Sequence, residues 1–390
     1  MRLSILQRTS RLLAILTLSL FVLSSCSTDE GLTTKADNSG QLIFNVCADG
    51  YGTPTRGTPM NSVSGAAGLI GFEFTDDWDE DDDKSYLMYN DVMQGSGEIW
   101  KTSKAYFPDP DKVKRFYAYY PYQADIDTSG GMLYFNDGDK DEYVQIPTFV
   151  YTSPAKASDQ KDLMYAVSED VEYEEVDGEM VLKPIEMTFH HLLSALKITV
   201  KNGFDNGVIK SVSISKIKKK GEFYYDSEEW AVMQEANLTI TQDVEVNVST
   251  KKSDVLPLTS DTEYFMLLPQ ELNQASILTL VYDNGKQEFT IDYELGKKFI
   301  TVPDGNGGTK QQHLIFKEGK ITTLNITVES ITKMTVKCTL TDWGSGAVFG
   351  GDDSDQNIID FEYMLHDWEG YPGNDTTGST EIDVITGPQS

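Results

Sequence analysis

Residues 41–48 (QLIFNVCA) carry the pattern that most of this chain follows. Within them, Leu42, Phe44, Val46 and Ala48 alternate with polar or smaller residues. Side chains two residues apart lie on the same face of a β-strand, so this period predicts a strand with one buried face. We therefore expect this segment to be the first strand of a β-rich fold.

The same alternation recurs downstream, while long amphipathic helical patterns are nearly absent. Gly, Asn, Asp and Pro separate the apolar runs, and these residues favour turns. Residues 187–200 (MTFHHLLSALKITV) predict a buried pair of strands or one strand with a bulge. The other predicted strands lie at 69–74, 113–122, 142–151, 163–167, 208–217, 222–226, 236–248, 263–268, 276–282, 287–293, 313–317, 321–329 and 332–340. Many short strands with turns between them favour β-sandwiches, an all-β fold class.

The chain is long enough to expect two domains. Its 390 residues exceed what a single core commonly serves. The acidic connection EDVEYEEVDGEM precedes a new run of strands, so the predicted domains are 41–180 and 181–349. Residues 26–40 predict a polar tether, and residues 350–390 an acidic tail.

Residues 1–25 have the features of an export signal. Three arginines precede the apolar run 12–23 (LLAILTLSLFVL), which is too short to span a bilayer. Small residues then lead to Cys26, an arrangement typical of bacterial lipoproteins that are acylated at this cysteine. An ordinary secretory signal with an incidental cysteine and a helix of the fold are the alternatives. We expect several acyl chains, palmitate among them, to anchor the protein, which would otherwise have no membrane contact.

The composition restricts the kinds of partner. A formal net charge of −30 at pH 7 repels nucleic acid and anionic headgroups. A hydrophobic content of 39% and an aromatic content of 11% are high enough to form packed cores. The protein is therefore predicted to be globular and not to bind nucleic acid.

Two cysteines follow Cys26, which is too few for a disulfide framework. Alternation places Cys338 on the strand face of Met334 and Val336, so a buried free thiol is the favoured interpretation. Pairing of Cys47 with Cys338 in an oxidising compartment stays open.

Motifs of catalysis or of metal binding are absent from the sequence. It contains no HExxH, no GxSxG and no glycine-rich phosphate loop. His190 and His191 are adjacent, so a strand would direct them to opposite faces. The acidic runs 76–83 and 352–360 depart from EF-hand spacing, and a solvated charge run is favoured over a Ca²⁺ site. We expect no catalytic residue, no cofactor and no metal.

The aromatic run FYAYYPY (116–122) allows a structural role and a sugar-binding role. Alternation directs Phe116, Ala118 and Tyr120 inward, and Tyr117 and Tyr119 outward. A structural role is the favoured interpretation of this run.

The acidic tail contains one strand-like segment, 358–366 (IIDFEYMLH). Its apolar residues share one face of the predicted strand, and they are Ile359, Phe361, Tyr363 and Leu365. Loop composition lies on both sides, so the sequence of the tail provides no hairpin partner.

Taken in order, several motifs resemble those of the Mfa-like fimbrillins of Bacteroidales, which are subunits of surface fimbriae. The resemblance covers about residues 42–346. Its carriers are TRGTPM (55–60), FYAYYPY (116–122), KDLMYA (161–166), FHHLLSALKITV (189–200), YFMLLPQ (264–270), GKITTLNITV (319–328) and TDWG (341–344).

The resemblance implies two tandem transthyretin-like β-sandwich domains and a lipoprotein of the outer membrane at the cell surface. In family members that polymerise, an Arg-specific protease cuts after the first strand, and a strand from the next subunit fills the groove. Other fimbrial subunits and that protease are therefore the implied partners, while the adhesion ligand is unknown. Main-chain hydrogen bonds and side-chain pockets would hold the donor strand, as in β-augmentation.

Residues of this sequence match the parts that such an exchange requires. Arg56 and Gly57 lie in TPTRGTP, a loop composition that proteases cut readily. The candidate donor consists of Ile359, Phe361, Tyr363 and Leu365. Pairing of this segment with an edge of its own C-terminal domain is the open alternative.

Two other functions remain to be distinguished from a fimbrial subunit without catalysis. A surface lipoprotein of a polysaccharide-uptake system would keep its first strand and bind glycans through platforms such as Trp78 or Trp100. A secreted enzyme ranks below both, because no catalytic motif is present. Proteolysis followed by oligomerisation separates the first possibility from the second.

Overall fold

A computed structural model of the chain describes residues 40–48, 65–75, 78, 84–126, 129, 131–136, 144–202, 206–232, 237–248, 255–259, 264–303, 309–330, 333–342 and 357–359. Most of these residues lie in β-strands, which confirms the predicted all-β class. Two single 3₁₀ turns, Ala157–Asp159 and Leu295–Lys297, are the described helical segments. Within the described residues, no helix is both long and apolar enough to cross a bilayer.

Eleven strands form the first part of the chain. They are β1 (Ile43–Ala48), β2 (Gly65–Phe74), β3 (Ser85–Ser96), β4 (Ile99–Thr102), β5 (Val113–Tyr120), β6 (Leu133–Asn136), β7 (Thr148–Thr152), β8 (Met164–Val167), β9 (Glu174–Val176), β10 (Glu179–Val181) and β11 (Ile185–His191). Seven of them close into a barrel in the order β1-β11-β8-β5-β2-β3-β4. The β1–β11 pair is parallel, and the other pairs of the barrel are antiparallel.

Alternate side chains of these strands fill the interior of the barrel. We call this set the barrel core: Leu42, Phe44, Val46, Ala48, Ala67, Leu69, Met88, Met93, Trp100, Phe116, Ala118, Met164, Ala166, Ile185, Met187 and Phe189. All of them are buried, as the pleat requires of residues on the inward face.

Sixteen strands follow. They are β12 (Ser194–Asn202), β13 (Gly207–Lys218), β14 (Lys220–Tyr224), β15 (Glu229–Val232), β16 (Asn237–Val248), β17 (Val255–Pro257), β18 (Phe265–Leu267), β19 (Gln270–Glu271), β20 (Ile277–Asp283), β21 (Glu288–Tyr293), β22 (Phe299–Pro303), β23 (Thr309–His313), β24 (Ile315–Phe316), β25 (Lys320–Ser330), β26 (Lys333–Asp342) and β27 (Asn357–Ile359). One sheet has the order β17-β12-β25-β26-β27, with β18 also paired to β12, and a second has the order β16-β13-β20-β21. Alternate residues of both sheets meet in one core, which includes Ile198, Val212, Leu280, Ile326 and Val336.

A third sheet joins strands from distant parts of the chain. Its order is β15-β14-β7-β6, so two strands from residues 133–152 pair with two from residues 220–232. Its aromatic side chains cover the outer faces of β2, β5 and β8. We call the buried layer between them the middle core: Ile70, Phe72, Tyr117, Tyr119, Ile126, Leu133, Phe135, Phe149, Tyr151, Leu163, Tyr165, Leu192, Leu193, Ala195, Phe223, Tyr225, Tyr264, Met266, Leu268 and Ile321.

Strands on the two sides of residue 180 pair with each other. The later strand β11 pairs with β1 and β8, and β14 pairs with β7. The predicted stretch 187–200 comprises two strands, β11 and β12, which belong to different sheets. The division into domains at residue 180 stays a prediction.

Candidate functional site

The candidate site is the place of the first strand in the barrel. Strand β1 lies between β11 on one side and β4 on the other, so it is hydrogen-bonded along both edges. Phe44 is in register with Ile185 of β11 and with Trp100 of β4. We call the slot between β4 and β11 the first-strand groove.

The inward side chains of β1 are buried in the barrel core. Phe44 is 0% exposed and Val46 is 1% exposed, while Leu42 and Ala48 are 7% and 6% exposed. The Phe44 ring meets the Phe116 ring edge to face, with centroids 5.5 Å apart. Burying a side chain of this size contributes about 1.5–3 kcal/mol relative to exposure. The alternation of 41–48 thus reflects a strand whose inward side chains are buried in the apolar barrel core.

Hydrogen bonds from outside the regular ladder secure the N-terminal end of β1. The Thr102 hydroxyl accepts from the Leu42 amide at 3.0 Å, and the Thr102 amide donates to the Leu42 carbonyl at 3.1 Å. The Gln41 side chain donates to the Thr102 carbonyl at 2.8 Å. The Tyr106 amide also donates to the Gly40 carbonyl at 2.7 Å. Thr102 therefore closes the groove at the end where the chain enters it.

The outward face of β1 makes polar contacts with β11. Asn45 Nδ2 donates to Glu186 Oε1 at 2.7 Å, and Cys47 Sγ lies 3.3 Å from Thr188 Oγ1. These contacts are exposed, so they fix the register more than they add stability. The groove thus has an apolar interior and a polar exterior.

Both described cysteines are free thiols. Cys47 is half-buried on β1, and Cys338 is buried on β26. Burial raises the pKa of the Cys338 thiol to about 12, which makes it a poor nucleophile at neutral pH. The structure thus agrees with the predicted buried thiol at Cys338.

The chain after residue 25 contains two arginines, Arg56 and Arg115. Arg115 lies on β5 and donates from Nε and Nη2 to the two carboxylate oxygens of Asp170, at 2.6 and 2.9 Å. Its guanidinium also lies over the Trp78 ring, 5.1 Å from the centroid. A protease needs an extended, unpaired segment, so strand pairing protects Arg115 in the folded chain.

Most of the sequence-predicted site residues fall outside the described residues. These are Cys26, Arg56, Gly57, Phe361, Tyr363 and Leu365, together with the signal 1–25 and most of the tether 26–40. Ile359 is the last residue of β27, and its Cα is in register with that of Cys338 on β26. The donor and cleavage assignments remain predictions.

The aromatic run on β5 is structural, as predicted, but its second face is not exposed. Phe116 and Ala118 belong to the barrel core, in agreement with the predicted inward face. Tyr117 and Tyr119, predicted to point outward, are buried in the middle core because the third sheet covers them.

The residues proposed as glycan platforms are engaged in packing. Trp100 is fully buried, and its indole nitrogen donates to the Gly97 carbonyl at 2.9 Å. Trp78 is partly buried against the rings of Phe72 and Phe74. Trp100 therefore offers no surface to a sugar.

Within the described part of the chain, no group of histidine, cysteine and acidic side chains is placed to hold a metal ion. His191 Nδ1 lies 2.8 Å from Asp162 Oδ2 in the interior, while the His190 ring packs against Tyr165 on the other side of β11. The adjacent histidines thus point to opposite faces, as predicted. Most of the acidic runs 76–83 and 352–360 lie outside the described residues.

Sequence reasoning missed the residues that line the groove opposite β1. Trp100 and Thr102 lie on β4, a strand of four residues, and Phe189 lies on β11. The segment IWKT is too short to show the alternation of a strand. The adjacent turn at Gly97 is the only feature of the sequence that indicates a strand here. Pairing between β1 and β11 spans about 140 positions and leaves no local pattern.

Comparison with known families provides a match over most of the chain. The model of the fimbrillin-like family matches residues 68–343 of the 390. No curated protein matches the chain.

Several solved structures resemble this chain at low sequence identity. A fimbrial protein from Bacteroides vulgatus is 15% identical with a TM-score of 0.52, covering 77% of this chain and 99% of its own. A candidate cell adhesion protein from Bacteroides uniformis is 16% identical with a TM-score of 0.41, covering 79% and 99%. The fimbrial anchor protein Mfa2 from Porphyromonas gingivalis is 12% identical with a TM-score of 0.33, covering 78% and 97%. The first of these likenesses indicates the fold.

Proposed function

Because the chain belongs to the fimbrillin-like family, we propose that it is a structural and adhesive subunit of cell-surface fimbriae. It is exported as a lipoprotein acylated at Cys26 and tethered to the outer membrane. It assembles when an Arg-specific protease removes its first strand and a strand of the next subunit takes that place. No step of this function requires catalysis by the chain itself.

The observation that carries the proposal is the position of β1. This strand is the first of the barrel, yet it lies between two strands that the chain forms later, β4 and β11. A cut anywhere in residues 49–64 leaves β1 attached only by its side chains and ladder bonds. The remaining strands β2–β11 stay continuous. A single cleavage can therefore open the groove without dividing the rest of the fold.

A groove without β1 would bind another strand favourably. Removal of β1 uncovers Trp100, Phe116 and Phe189 of the barrel core and leaves the edges of β4 and β11 unpaired. Exposed apolar surface and unpaired strand edges favour association with another chain. A donor with apolar residues at alternate positions satisfies both needs at once.

The candidate donor is the tail segment with Ile359, Phe361, Tyr363 and Leu365. Its four alternating apolar residues equal in number those of 42–48, and an aromatic residue is second in each set. Phe361 is thereby the counterpart of Phe44, whose pocket is lined by aromatic rings. This match supports the tail as the replacement strand.

The test uses the chain from Ser27 onward, treated with an Arg-specific protease. We expect a new N-terminus at Gly57 and growth into fibres, followed by light scattering and electron microscopy. Arg56→Lys should stay uncut and monomeric, while the matched control Arg115→Lys should be cut and grow normally.

A second arm tests the donor by deleting residues 351–390. We expect a folded monomer that is cut at Arg56 but does not polymerise. Normal fibres from this deletion would contradict the donor assignment. A chain that is cut yet stays monomeric in its complete form would contradict strand exchange and favour an anchor, a tip subunit or a glycan-binding lipoprotein.

A further inference from the structure

The chain contains one concentrated run of lysines, although it is strongly acidic as a whole. Residues 207–221 (GVIKSVSISKIKKKG) include five lysines and no acidic residue, while the complete chain has 62 acidic against 32 basic residues. The run ends where β13 leads into β14 through a single residue. We call the lysines around this passage the lysine patch: Lys156, Lys216, Lys218 and Lys219.

Hydrogen bonds fix the backbone of the lysine patch. Lys216 is the extra residue of a β-bulge opposite β16, and its φ is 57°. Its carbonyl accepts from Asn273 Nδ2 at 2.8 Å and from Ser276 Oγ at 3.1 Å. The Lys218 amide donates to Gln270 Oε1 at 2.7 Å. The ammonium groups therefore extend from a rigid backbone, and a bulge of this kind directs its side chain away from the ladder.

The segment after β7 adds to the same patch. The Ser153 amide donates to the Lys219 carbonyl at 2.9 Å, and Lys156 forms a bridge with Thr241 of β16, the strand next to β13. All four lysines are exposed or half-buried. Within the described residues, no carboxylate lies at ion-pair distance from any of them. The patch is thus a local excess of positive charge.

The complementary charge lies on the hairpin β9–β10, which we call the acidic hairpin. Residues 169–180 (EDVEYEEVDGEM) include seven acidic residues and no basic one. Among the described strands, β9 and β10 pair only with each other. The tip presents three exposed acids and two exposed apolar side chains: Glu175, Val176, Asp177, Glu179 and Met180. These three acids form no ion pair with the described part of the chain.

The acidic hairpin and the lysine patch lie at opposite ends of β11. The hairpin ends at Val181, shortly before β11 begins at Ile185. Just past the other end of β11, the Leu192 carbonyl accepts from the Trp230 indole at 3.0 Å. Trp230 lies beside Gly221, at the end of the lysine run, where an added Cβ would come within 2.9 Å of the ring. The seven residues of β11 span roughly 20 Å and the three-residue strands of the hairpin roughly 10 Å, so the hairpin does not reach its own patch.

We propose that the acidic hairpin of one subunit binds the lysine patch of a second copy of this chain. Because the two surfaces lie at opposite ends of β11, the contact is head-to-tail and can repeat from one subunit to the next. A net charge of −30 makes the remaining surfaces of two copies repel each other. Complementary charge at this place offsets the repulsion locally and orients the two subunits.

The contact goes beyond strand exchange, because it requires neither cleavage at Arg56 nor a donor strand. The tip supplies five side chains, whereas stable interfaces use about 20–30 residues on each side, so the contact alone is weak. In a fibre it would act together with the exchanged strand, since two linked contacts reinforce each other. This last step rests on the proposed function.

Carbodiimide cross-linking of the uncut chain from Ser27 onward tests the contact. The reagent joins a carboxylate to a lysine amine where the two groups touch. Mixing isotope-labelled with unlabelled chains separates bonds between copies from bonds within one chain by mass spectrometry. We expect bonds between copies to join residues 174–180 to residues 216–219. Raising the salt concentration from about 0.1 M to about 1 M shortens the screening length from about 10 Å to about 3 Å and should reduce these bonds roughly tenfold.

Charge reversal then tests the two surfaces separately. Lys216→Glu with Lys218→Glu should reduce the bonds at the hairpin to background, and so should Glu175→Lys with Asp177→Lys. Mixing the two variants should restore bonds between copies, because each variant supplies the surface that the other lacks. Such a recovery also shows that both variants are folded.

The matched control is Lys286→Glu with Lys317→Glu, two exposed lysines outside the patch. It changes the net charge by the same amount and should keep the bonds within a few-fold of the parent. Equal losses in the control and in Lys216→Glu with Lys218→Glu would show that net charge, and not the patch, governs association.

Three further outcomes would overturn the contact: no bond between hairpin and patch, bonds only within one chain, or unchanged bonds in the charge-reversed variants. Vesicles containing phosphatidylglycerol test the other occupant. If the parent bound them, Lys216→Glu with Lys218→Glu did not, and no bond formed between copies, the patch would bind an anionic membrane surface instead of a second copy. None of these results depends on cleavage at Arg56, so a failure here is separate from a failure of strand exchange.

Discussion

The first strand and the third sheet are both held by buried aromatic side chains, yet the chain connects them differently. Strand β1 is attached to the barrel through one connection, residues 49–64. The third sheet consists of β6–β7 and β14–β15, and the chain leads from each of these pairs to other strands both before and after it. Phe44 of β1 and Phe149 of β7 are equally inaccessible to solvent, at 0% exposure each.

In the proposed function, the strand that is released is not a weakly packed one. The proposal depends on the place of β1 at the start of the barrel and on the sequence of its connection. What makes the third sheet permanent is that its strands come from chain segments about 70 residues apart and share the middle core. The predictions below test whether connection, and not packing, separates the two regions.

Truncation in the middle core should have the largest effect. The Phe149 ring packs against Phe135, Phe223 and Tyr225, with the Tyr225 centroid 4.9 Å away. We expect Phe149→Ala to destabilise the protein by about 3–5 kcal/mol, the usual cost of emptying a buried aromatic site. Denaturant unfolding followed by tryptophan fluorescence should show a loss of stability in the barrel and C-terminal sheets together.

The matched control for that change is Phe107→Ala, because Phe107 is 85% exposed. The same truncation at the surface should change stability by less than about 0.5 kcal/mol. If Phe149→Ala melted one part of the protein in a separate transition, the third sheet would not join the two halves, and the comparison would fail.

Truncation of a side chain in the first strand should have a smaller effect on the stability of the intact chain. After cleavage, it should have a large effect on how long the β1 peptide stays bound. We expect Phe44→Ala to cost about 3 kcal/mol, since it empties the site beside Phe116. After a cut at Arg56, the same loss of binding free energy should speed release of the β1 peptide by roughly 100-fold, because about 1.4 kcal/mol corresponds to a factor of ten. Size-exclusion chromatography with mass spectrometry measures the peptide that stays bound over time.

Cys47→Ser is the control for the first strand, because Cys47 points to the outer face of β1. It should leave the release rate within a few-fold of the parent. Equal release from the parent and from Phe44→Ala would show that the inward face does not hold the strand.

The sequence predicted those strands that have one buried face. The alternation in β1, β13, β16, β25 and β26 is visible because polar and apolar residues change with period two. Strand β3 was missed, since its pairing with β2 contains register shifts that interrupt the period. Local patterns carry no information about such irregular pairing.

Contacts between distant segments explain the remaining errors. Tyr117 and Tyr119 were predicted to face outward, and alternation did assign them to the correct face of β5. A second sheet covers that face, and half of its strands come from residues 220–232. The groove itself was implied by the buried face of β1, but its walls, β4 and β11, could not be assigned without the tertiary structure.

The smallest predicted effect concerns the pH dependence of stability that Glu318 causes. Glu318 lies in the turn before β25, and burial raises the pKa of its carboxyl to about 7, with a further rise from Glu228 and an opposing effect of His190. In the unfolded chain this carboxyl titrates near 4.5. Between these two pH values the folded protein binds more protons than the unfolded chain, so stability should fall as pH rises and stay lower above about pH 7.

Glu318→Gln removes this titration and should flatten the stability curve across that interval. We expect the variant to match the parent closely at about pH 4.5, where both carry a neutral side chain in the folded protein, and to exceed it at about pH 8. Urea unfolding at these two pH values, with Glu229→Gln on an exposed strand as control, measures the difference. Retention of the β1 peptide after cleavage should not differ between Glu318→Gln and the parent at either pH, because Glu318 lies outside the barrel core. A variant that lost its β1 peptide more slowly only at the higher pH would show that Glu318 and the first-strand groove are coupled, and the two regions would then no longer be independent.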